Sequence, residues 1–315
     1  LFRSAFFYNI FGVTEFAARL GPVLCGAATV VCVWLIGRLA ANDRTLANWL
    51  AATAASTVGL LTFSHGATTD VVVTFPLTAA MVAYFIYDRR SSEGKPAAPA
   101  LIAMYAAAGL AMLAKGLIGL IFPPAIIGFY LLLSRRLPSR QLLLSLIWGL
   151  PTTLAVAAVW YAPMYARHCD EFVREFIVRQ HFERFATNDF QHPQPFYFYL
   201  LVLPLLTLPW LPFLVAGVAK AGKSLRTGQS PANDGIRELM IFALAWMVVP
   251  VAFFSMSSSK LPGYILPAVP AAAMLAGVVV SGIASSGRRA AASLAAVAAA
   301  TLLIVCLLQI GRAHV

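Results

Sequence analysis

Charged residues are scarce in this sequence. Asp, Glu, Lys and Arg together make up 11% of the 315 residues, whereas hydrophobic residues make up 60%. The mean hydropathy is +0.81. A soluble domain cannot bury so much apolar surface in one core, so the composition predicts an integral membrane protein. At about 20 residues per spanning helix, the chain has room for roughly ten spans and one sizeable loop.

Cysteine is also rare, and motifs for nucleotides or clustered metals are lacking. Of the 4 cysteines, Cys25, Cys32 and Cys306 lie in apolar runs, and Cys169 stands alone in a polar stretch. Neither a disulfide framework nor a metal cluster is expected from this pattern. The sequence has no glycine-rich phosphate loop and no internal repeat, which argues against a nucleotide-driven machine.

The apolar runs predict an all-α fold, a polytopic bundle of about ten spans. Residues 1–20 alternate aromatic and polar side chains and are predicted to form a helix in the headgroup layer. Residues 163–195 are predicted to form an outer loop that contains an amphipathic helix. The predicted spans cover about residues 22–40, 46–63, 70–87, 99–114, 116–134, 141–162, 196–219, 239–255, 263–284 and 290–310.

The distribution of basic residues predicts the orientation of the bundle. Most of the 23 Lys and Arg residues lie in alternate connectors, which the positive-inside rule assigns to the cytoplasm. The net charge of +11 is therefore interpreted as a topological feature and as contact with anionic membrane lipids, not with nucleic acid. The residues of this set are Arg38, Arg44, Arg89, Arg90, Lys95, Arg135, Arg136, Arg140, Lys220, Lys223, Arg226, Arg237, Arg288 and Arg289.

Two ionic residues stand at predicted outer ends of spans. Asp70 follows a short polar loop and is either a helix cap or a functional acid. Lys115 is the single cation between Lys95 and Arg135. It either extends to the membrane interface or binds an anion, and we favour the second because a compact ammonium suits a phosphate.

The predicted outer loop carries further polar candidates. Residues Asp170 to Phe185 fit an amphipathic helix whose charges are either solvated or, at His181 and Arg184, in contact with an anionic group. His181 and His192 do not form a compact metal motif, so a zinc site is not favoured.

A second polar segment, Ser255 to Pro270, interrupts the apolar sequence. It contains three consecutive serines, Lys260, a Pro-Gly turn and Tyr264. An ordinary connector would need only the turn, so a binding role is predicted for Lys260 and Tyr264. The serines are expected to solvate the turn, because no base is placed beside them.

Together these motifs resemble the ArnT-like lipid A aminoarabinose transferases, bacterial GT-C glycosyltransferases related to protein mannosyltransferases. The resemblance implies a multi-pass inner-membrane enzyme with its active site facing the periplasm. Such an enzyme transfers a sugar, 4-amino-4-deoxy-L-arabinose or a similar one, from a polyprenyl-phosphate donor to a lipid A type acceptor. The matching segments are Phe11 to Leu20, Thr69-Asp70, Leu113 to Gly116, Gln180 to Phe185, Pro195 to Tyr199, Leu208 to Pro212 and Ser257 to Pro267.

The resemblance also implies roles for individual residues. Lys115, Lys260 and Tyr264 would contact the donor phosphate, and His181 and Arg184 would line the same pocket. Asp70 would act as a supporting acid that holds the acceptor or a divalent metal; no cofactor is otherwise expected.

The family's catalytic acidic pair is expected upstream of Leu1. Residues 1–315 are therefore interpreted as a single, partial transmembrane domain without the initial span, the first outer loop and the soluble C-terminal domain. Two alternatives stay open: transfer to protein or another glycan, and a secondary transporter. The transporter predicts charges in mid-span and inverted repeats, which the sequence does not show.

Overall fold

The apolar runs form helices in the computed structural model, which describes residues 2–66, 68–172, 194–227 and 234–287, with the isolated positions 174, 293, 296 and 297. No strand occurs among these residues, and the all-α fold class is confirmed. The helices are α1 (Phe2–Phe11), α2 (Glu15–Ala41), α3 (Arg44–Ala55), α4 (Val58–His65), α5 (Asp70–Ser92), α6 (Ala98–Lys115), α7 (Ile118–Leu133), α8 (Arg140–Phe172), α9 (Phe198–Leu206), α10 (Leu211–Thr227), α11 (Asp234–Ser255), the 3-10 helix Pro262–Ala268 and α12 (Val269–Ala284).

The described residues contain six helices that are long and apolar enough to cross a membrane, or up to eight if bent pairs are counted as single spans. The bent pairs are α3 with α4, at 58°, and α9 with α10, at 115°. Helix α7 has 16 residues, fewer than the ~20 of a perpendicular span. A multi-pass membrane protein is confirmed, but the predicted count of ten is not. Most of the predicted span 290–310 lies outside the described residues.

Two boundaries differ from the sequence prediction. The surface helix expected over residues 1–20 ends at Phe11, and α2 begins at Glu15 because the Thr14 side chain accepts a hydrogen bond from the Ala17 N–H. Helix α8 continues to Phe172, with a break at Cys169, where φ is 43°. The described part of the predicted loop 163–195 is therefore helical at its start.

Helices α5 and α12 lie at the centre of the bundle. In the most apolar stretch of α5, 72% of residues are buried, and in the segment that contains α12 the share is 89%. For α2 and α8 the shares are 33% and 28%, so these two helices present apolar side chains outward, as lipid-facing helices do. Helix α5 packs against α2, α6 and the 3-10 helix and runs from one end of the bundle to the other.

Candidate functional site

Three predicted site residues meet at one end of the bundle, called here the Lys115 end. Asp70 is the first residue of α5, Lys115 is the last residue of α6, and Tyr264 lies in the 3-10 helix. The Lys115 ammonium is paired with Asp70 Oδ1, and the two side chains are only 19% and 16% exposed. The same ammonium lies 4.5 Å from the centroid of the Tyr264 ring. Three segments far apart in sequence therefore build one charged cluster.

The local sequence explains why Lys115 and Asp70 end up at this position. Helix α6 stops after Lys115 because Gly116 adopts φ 74°, a conformation that favours glycine, and its N–H bonds back to Met112. Helices α5 and α6 pack against each other in opposite directions, so the beginning of one meets the end of the other. The Asp70 carboxylate accepts from Lys115 rather than capping α5, although it also lies at the favourable end of the helix dipole.

Gly263 makes room for the Asp70 carboxylate. A Cβ atom at Gly263 would lie 2.1 Å from Asp70 Oδ2 and 2.7 Å from Phe63 Cε1, far inside van der Waals contact. Only glycine allows the backbone of the 3-10 helix to approach the acid this closely. The sequence pattern indicates only a Pro-Gly turn at Gly263, so this contribution to the site emerges from the tertiary structure alone.

Lys260 lies near the same end but is held by main-chain carbonyls. The residue is 6% exposed, and its ammonium donates to Ser257 O at 2.5 Å and to Gln194 O at 3.0 Å. The Tyr199 hydroxyl donates to Leu261 O at 3.1 Å and fixes the next residue. These bonds tie the serine-rich segment to the beginning of α9. The predicted contact between Lys260 and a phosphate stays a prediction.

Several other predictions fall outside the described residues. His181, Arg184, His192 and most of the predicted amphipathic helix belong to this part of the chain. The described residues contain no group of three or more His, Cys, Asp and Glu side chains that could hold a metal ion. At Asp70 they supply one carboxylate, whose Oδ1 is already paired with an ammonium. A divalent ion there would need ligands from elsewhere, and the metal role of Asp70 stays a prediction.

The cluster can exchange ions. An ammonium carries three donors without a fixed fork geometry, so it can shift between a carboxylate and another anion. Because Lys115 and Asp70 are largely removed from water, their interaction is stronger than that of a surface pair. The buried charge of Lys115 is therefore compensated by the Asp70 carboxylate.

A second ionic cluster, which the sequence pattern does not indicate, lies at the opposite end of α5. Arg136 donates to Asp88 through both terminal nitrogens, at 2.7 Å to Oδ1 and 3.0 Å to Oδ2. The Tyr130 hydroxyl donates to Asp88 Oδ2 at 3.1 Å. A cavity of about 110 Å³ lies beside this cluster. The sequence pattern does not single out Asp88, because it directly precedes Arg89 and Arg90, whose charges have a topological explanation. An acid at the end of an apolar run is the feature that could have revealed it.

Comparisons with known proteins agree with this architecture. The family model for dolichyl-phosphate-mannose-protein mannosyltransferase matches residues 2–162. A relative from Pseudomonas fluorescens, named undecaprenyl phosphate-alpha-4-amino-4-deoxy-L-arabinose arabinosyl transferase 1, is 31% identical over 271 residues, covering 85% of this chain and 46% of that protein. An Aeromonas salmonicida protein with the same transferase name is 32% identical over 270 residues, covering 85% of this chain and 46% of that protein.

The fold also matches solved structures. The chain resembles the crystal structure of ArnT from Cupriavidus metallidurans bound to undecaprenyl phosphate, with a TM-score of 0.73 and 23% identity, over 89% of this chain and 48% of that one. This chain thus spans about half the length of the proteins it matches. It belongs to the dolichyl-phosphate-mannose-protein mannosyltransferase family, and the predicted resemblance to the ArnT-like GT-C transferases is confirmed.

Proposed function

We propose that this protein transfers a sugar, 4-amino-4-deoxy-L-arabinose or a similar one, from a polyprenyl-phosphate donor to lipid A on the periplasmic side of the bacterial inner membrane. The names of the relatives support the sugar and the donor. The observation that carries the proposal is the Lys115 cluster. It places a largely buried ammonium beside an exchangeable counter-ion, at the end of the bundle away from the basic connectors.

Lys115 holds the donor phosphate in this proposal. When the phosphate enters, the Lys115 ammonium moves from Asp70 Oδ1 toward a phosphate oxygen. Asp70 stays next to the ammonium, opposite the phosphate, and orients the Lys115 side chain. The positive charge binds an anionic donor and does not distinguish one sugar from another. The sugar specificity therefore depends on other residues.

The same charge assists the chemical step. An acceptor oxygen attacks the anomeric carbon, and the bond between that carbon and the phosphate oxygen breaks, with its electron pair leaving on the phosphate. The acceptor proton passes to a base, a role that the resemblance to the family gives to a carboxylate. Negative charge on the polyprenyl phosphate grows in the transition state, so a preorganised ammonium accelerates the reaction and does more than bind the donor.

The remaining predicted residues support this arrangement. The Tyr264 ring lies beside the Lys115 ammonium and keeps its position through a cation–π contact. The Lys260 ammonium donates to main-chain carbonyls and so fixes the segment that leads into the 3-10 helix. Through this segment Lys260 positions Tyr264 even without contacting the phosphate itself. His181 and Arg184 are proposed as further donor-phosphate contacts on the resemblance alone.

A Lys115→Ala variant of the full-length protein tests the proposal. Transfer of labelled sugar to lipid A in membranes with matched expression is expected to fall about 100-fold, as for the loss of other charge-stabilising groups. Lys95→Ala is the control, because Lys95 lies at the other end of α5 and pairs with exposed Glu93. Wild-type transfer by the Lys115→Ala variant would remove this residue from the mechanism.

The acceptor needs its own experiment. The description of the matching family names protein mannosyltransferases, so transfer to protein is the second candidate. Mass spectrometry of lipid A and of glycoproteins from a deletion strain separates the two, and loss of the aminosugar from lipid A is expected. Loss of a protein glycan with unchanged lipid A would favour the second candidate. The transporter alternative would require substrate uptake into vesicles without glycosyl transfer.

A further inference from the structure

A cavity separates the beginnings of α6 and α8, at the opposite end of the bundle from Lys115. Its volume is about 380 Å³, and it is lined by polar Arg140 and Gln141 and by apolar Leu101, Leu144 and Trp148. From Arg140 to Trp148, helix α8 rises about 12 Å. The cavity, called here the α6–α8 groove, therefore changes from polar to apolar along the axis of a candidate membrane span.

The polar mouth of the groove is positively charged and has no counter-ion within the described part of the chain. Arg140 is exposed and forms no ion pair or side-chain hydrogen bond with those residues, whereas nearby Arg136 is neutralised by Asp88. No Asp or Glu is among the described residues that line the groove. The first turns of α6 and α8 contain no acidic residue either, so the helix dipoles add to the positive charge.

The groove is closed on its protein side and open toward the lipid-facing surface of α8. Gly149 lets the Tyr105 ring pack directly on α8, because a Cβ there would lie 2.1 Å from Tyr105 Cε2. Tyr105 and Ser145 share a hydrogen bond of 2.8 Å, and the Tyr105 and Trp148 rings meet edge to face at 5.4 Å. The lining residues Leu144 and Trp148 are 50% and 38% exposed, so the groove reaches the surface of α8. A ligand that enters from the bilayer could occupy this space.

We propose that the α6–α8 groove binds one anionic phospholipid. Its phosphate lies against Arg140 and Gln141, and an acyl chain runs along Leu101, Leu144 and Trp148. A free phosphate would leave the apolar depth unfilled, and a zwitterionic lipid would bring no net negative charge to Arg140. Charge complementarity at the mouth and the apolar depth therefore point to the same ligand. This site is independent of the transferase proposal, and neither depends on the other.

Native mass spectrometry of the full-length protein in detergent tests the site, with phosphatidylglycerol and phosphatidylethanolamine as probes. Phosphatidylglycerol is expected to bind more tightly, and Arg140→Gln is expected to weaken its binding roughly fivefold. Binding of phosphatidylethanolamine is expected to be weakened less, because its own ammonium offsets its phosphate. Arg44→Gln is the matched control, because it removes an exposed arginine from the predicted same side, away from the groove. Equal weakening by both variants would show only general attraction to a basic surface and would overturn the proposal.

A second variant keeps the charge and fills the space. Leu144→Trp is expected to displace the tightly bound phosphatidylglycerol, because Leu144 lines the groove and is half exposed, so a larger ring can be accommodated. Unchanged lipid binding by this variant would overturn the proposed location. Displacement of the lipid by millimolar inorganic phosphate alone would overturn a lipid site in favour of a soluble anion. Transfer activity is not needed for any of these measurements.

Discussion

Helix α5 carries a carboxylate near each end, and the two are neutralised in different ways. Asp70 meets the ammonium of Lys115, which also lies over the Tyr264 ring. Asp88 lies about 27 Å further along the helix. Both of its carboxylate oxygens accept hydrogen bonds from the guanidinium of Arg136. One pair joins α5 to α6, and the other joins α5 to the connector that follows α7.

The difference shows how similar ion pairs serve different purposes. The planar guanidinium fork matches both oxygens of a carboxylate, so the Asp88 pair has a fixed geometry that is suited to holding helices together. The Lys115 ammonium is a point charge on a flexible chain, and it can turn to another anion without breaking a two-pronged contact. We therefore expect substitutions at the Asp88 end to change stability and substitutions at the Lys115 end to change activity.

The largest effect on sugar transfer is expected for Gly263→Ala, which changes the geometry of the Lys115 end without removing a charge. The new methyl group would occupy the space of Asp70 Oδ2 and displace the carboxylate from Lys115. Transfer is expected to fall about 100-fold, because the carboxylate and the 3-10 helix that carries Tyr264 both have to shift away from Lys115. Gly222→Ala is the control, because a Cβ at Gly222 meets nothing within 4 Å. Full activity of Gly263→Ala would show that the position of Asp70 does not matter.

The next effect is expected at the opposite end of α5. Asp88→Ala leaves Arg136 and the buried Tyr130 hydroxyl without their acceptor. Since Arg136 is 40% exposed, the loss is expected to be about 2 kcal/mol, below the range for fully buried pairs. Thermal unfolding in detergent measures it, and transfer per folded molecule is expected to stay near wild type.

A compensating pair checks this interpretation of Asp88. Replacing both Asp88 and Arg136 by leucine removes the pair without leaving an uncompensated charge, so part of the lost stability is expected to return. A double variant that is as unstable as the sum of the two single variants would contradict the ion-pair explanation.

A smaller change is expected for Asp70→Asn, which keeps the shape of the side chain and removes its charge. Transfer is expected to fall about tenfold, because Lys115 loses its charged partner and is less well positioned. In the Lys115→Ala background the same substitution is expected to have no further effect, since the two residues act as a unit. Independent, multiplicative losses in the double variant would separate Asp70 from Lys115.

The smallest effect is expected for a partly exposed pair near Asp88. Arg89 and Glu238 are 3.5 Å apart, and about a third of each side chain is exposed. Glu238→Gln is expected to change stability by less than about 1 kcal/mol, because water screens such pairs. A loss as large as that of Asp88→Ala would show that this end depends on net charge rather than on the fork geometry at Asp88.

The membrane class and the identities of three clustered residues could be predicted from the sequence. An isolated charge in an apolar run is costly unless it is paired or reaches water, so Asp70 and Lys115 stood out without a structure. The same argument could not identify Asp88, because its basic neighbours provide an alternative explanation. Span boundaries were less accurate, as at Glu15, because a cap such as Thr14 can extend a helix beyond its most apolar stretch.

By itself, the sequence determined that this chain is a helical membrane protein, because 60% hydrophobic residues cannot be buried in one soluble core. It also placed Asp70 and Lys115 at the same predicted end of the bundle. Only the tertiary structure decided that they pair, that Gly263 makes room for the acid, and that Arg136 closes on Asp88. Such partners are far apart in sequence, and hydropathy determines how deep a residue lies in the membrane but not which helix it faces.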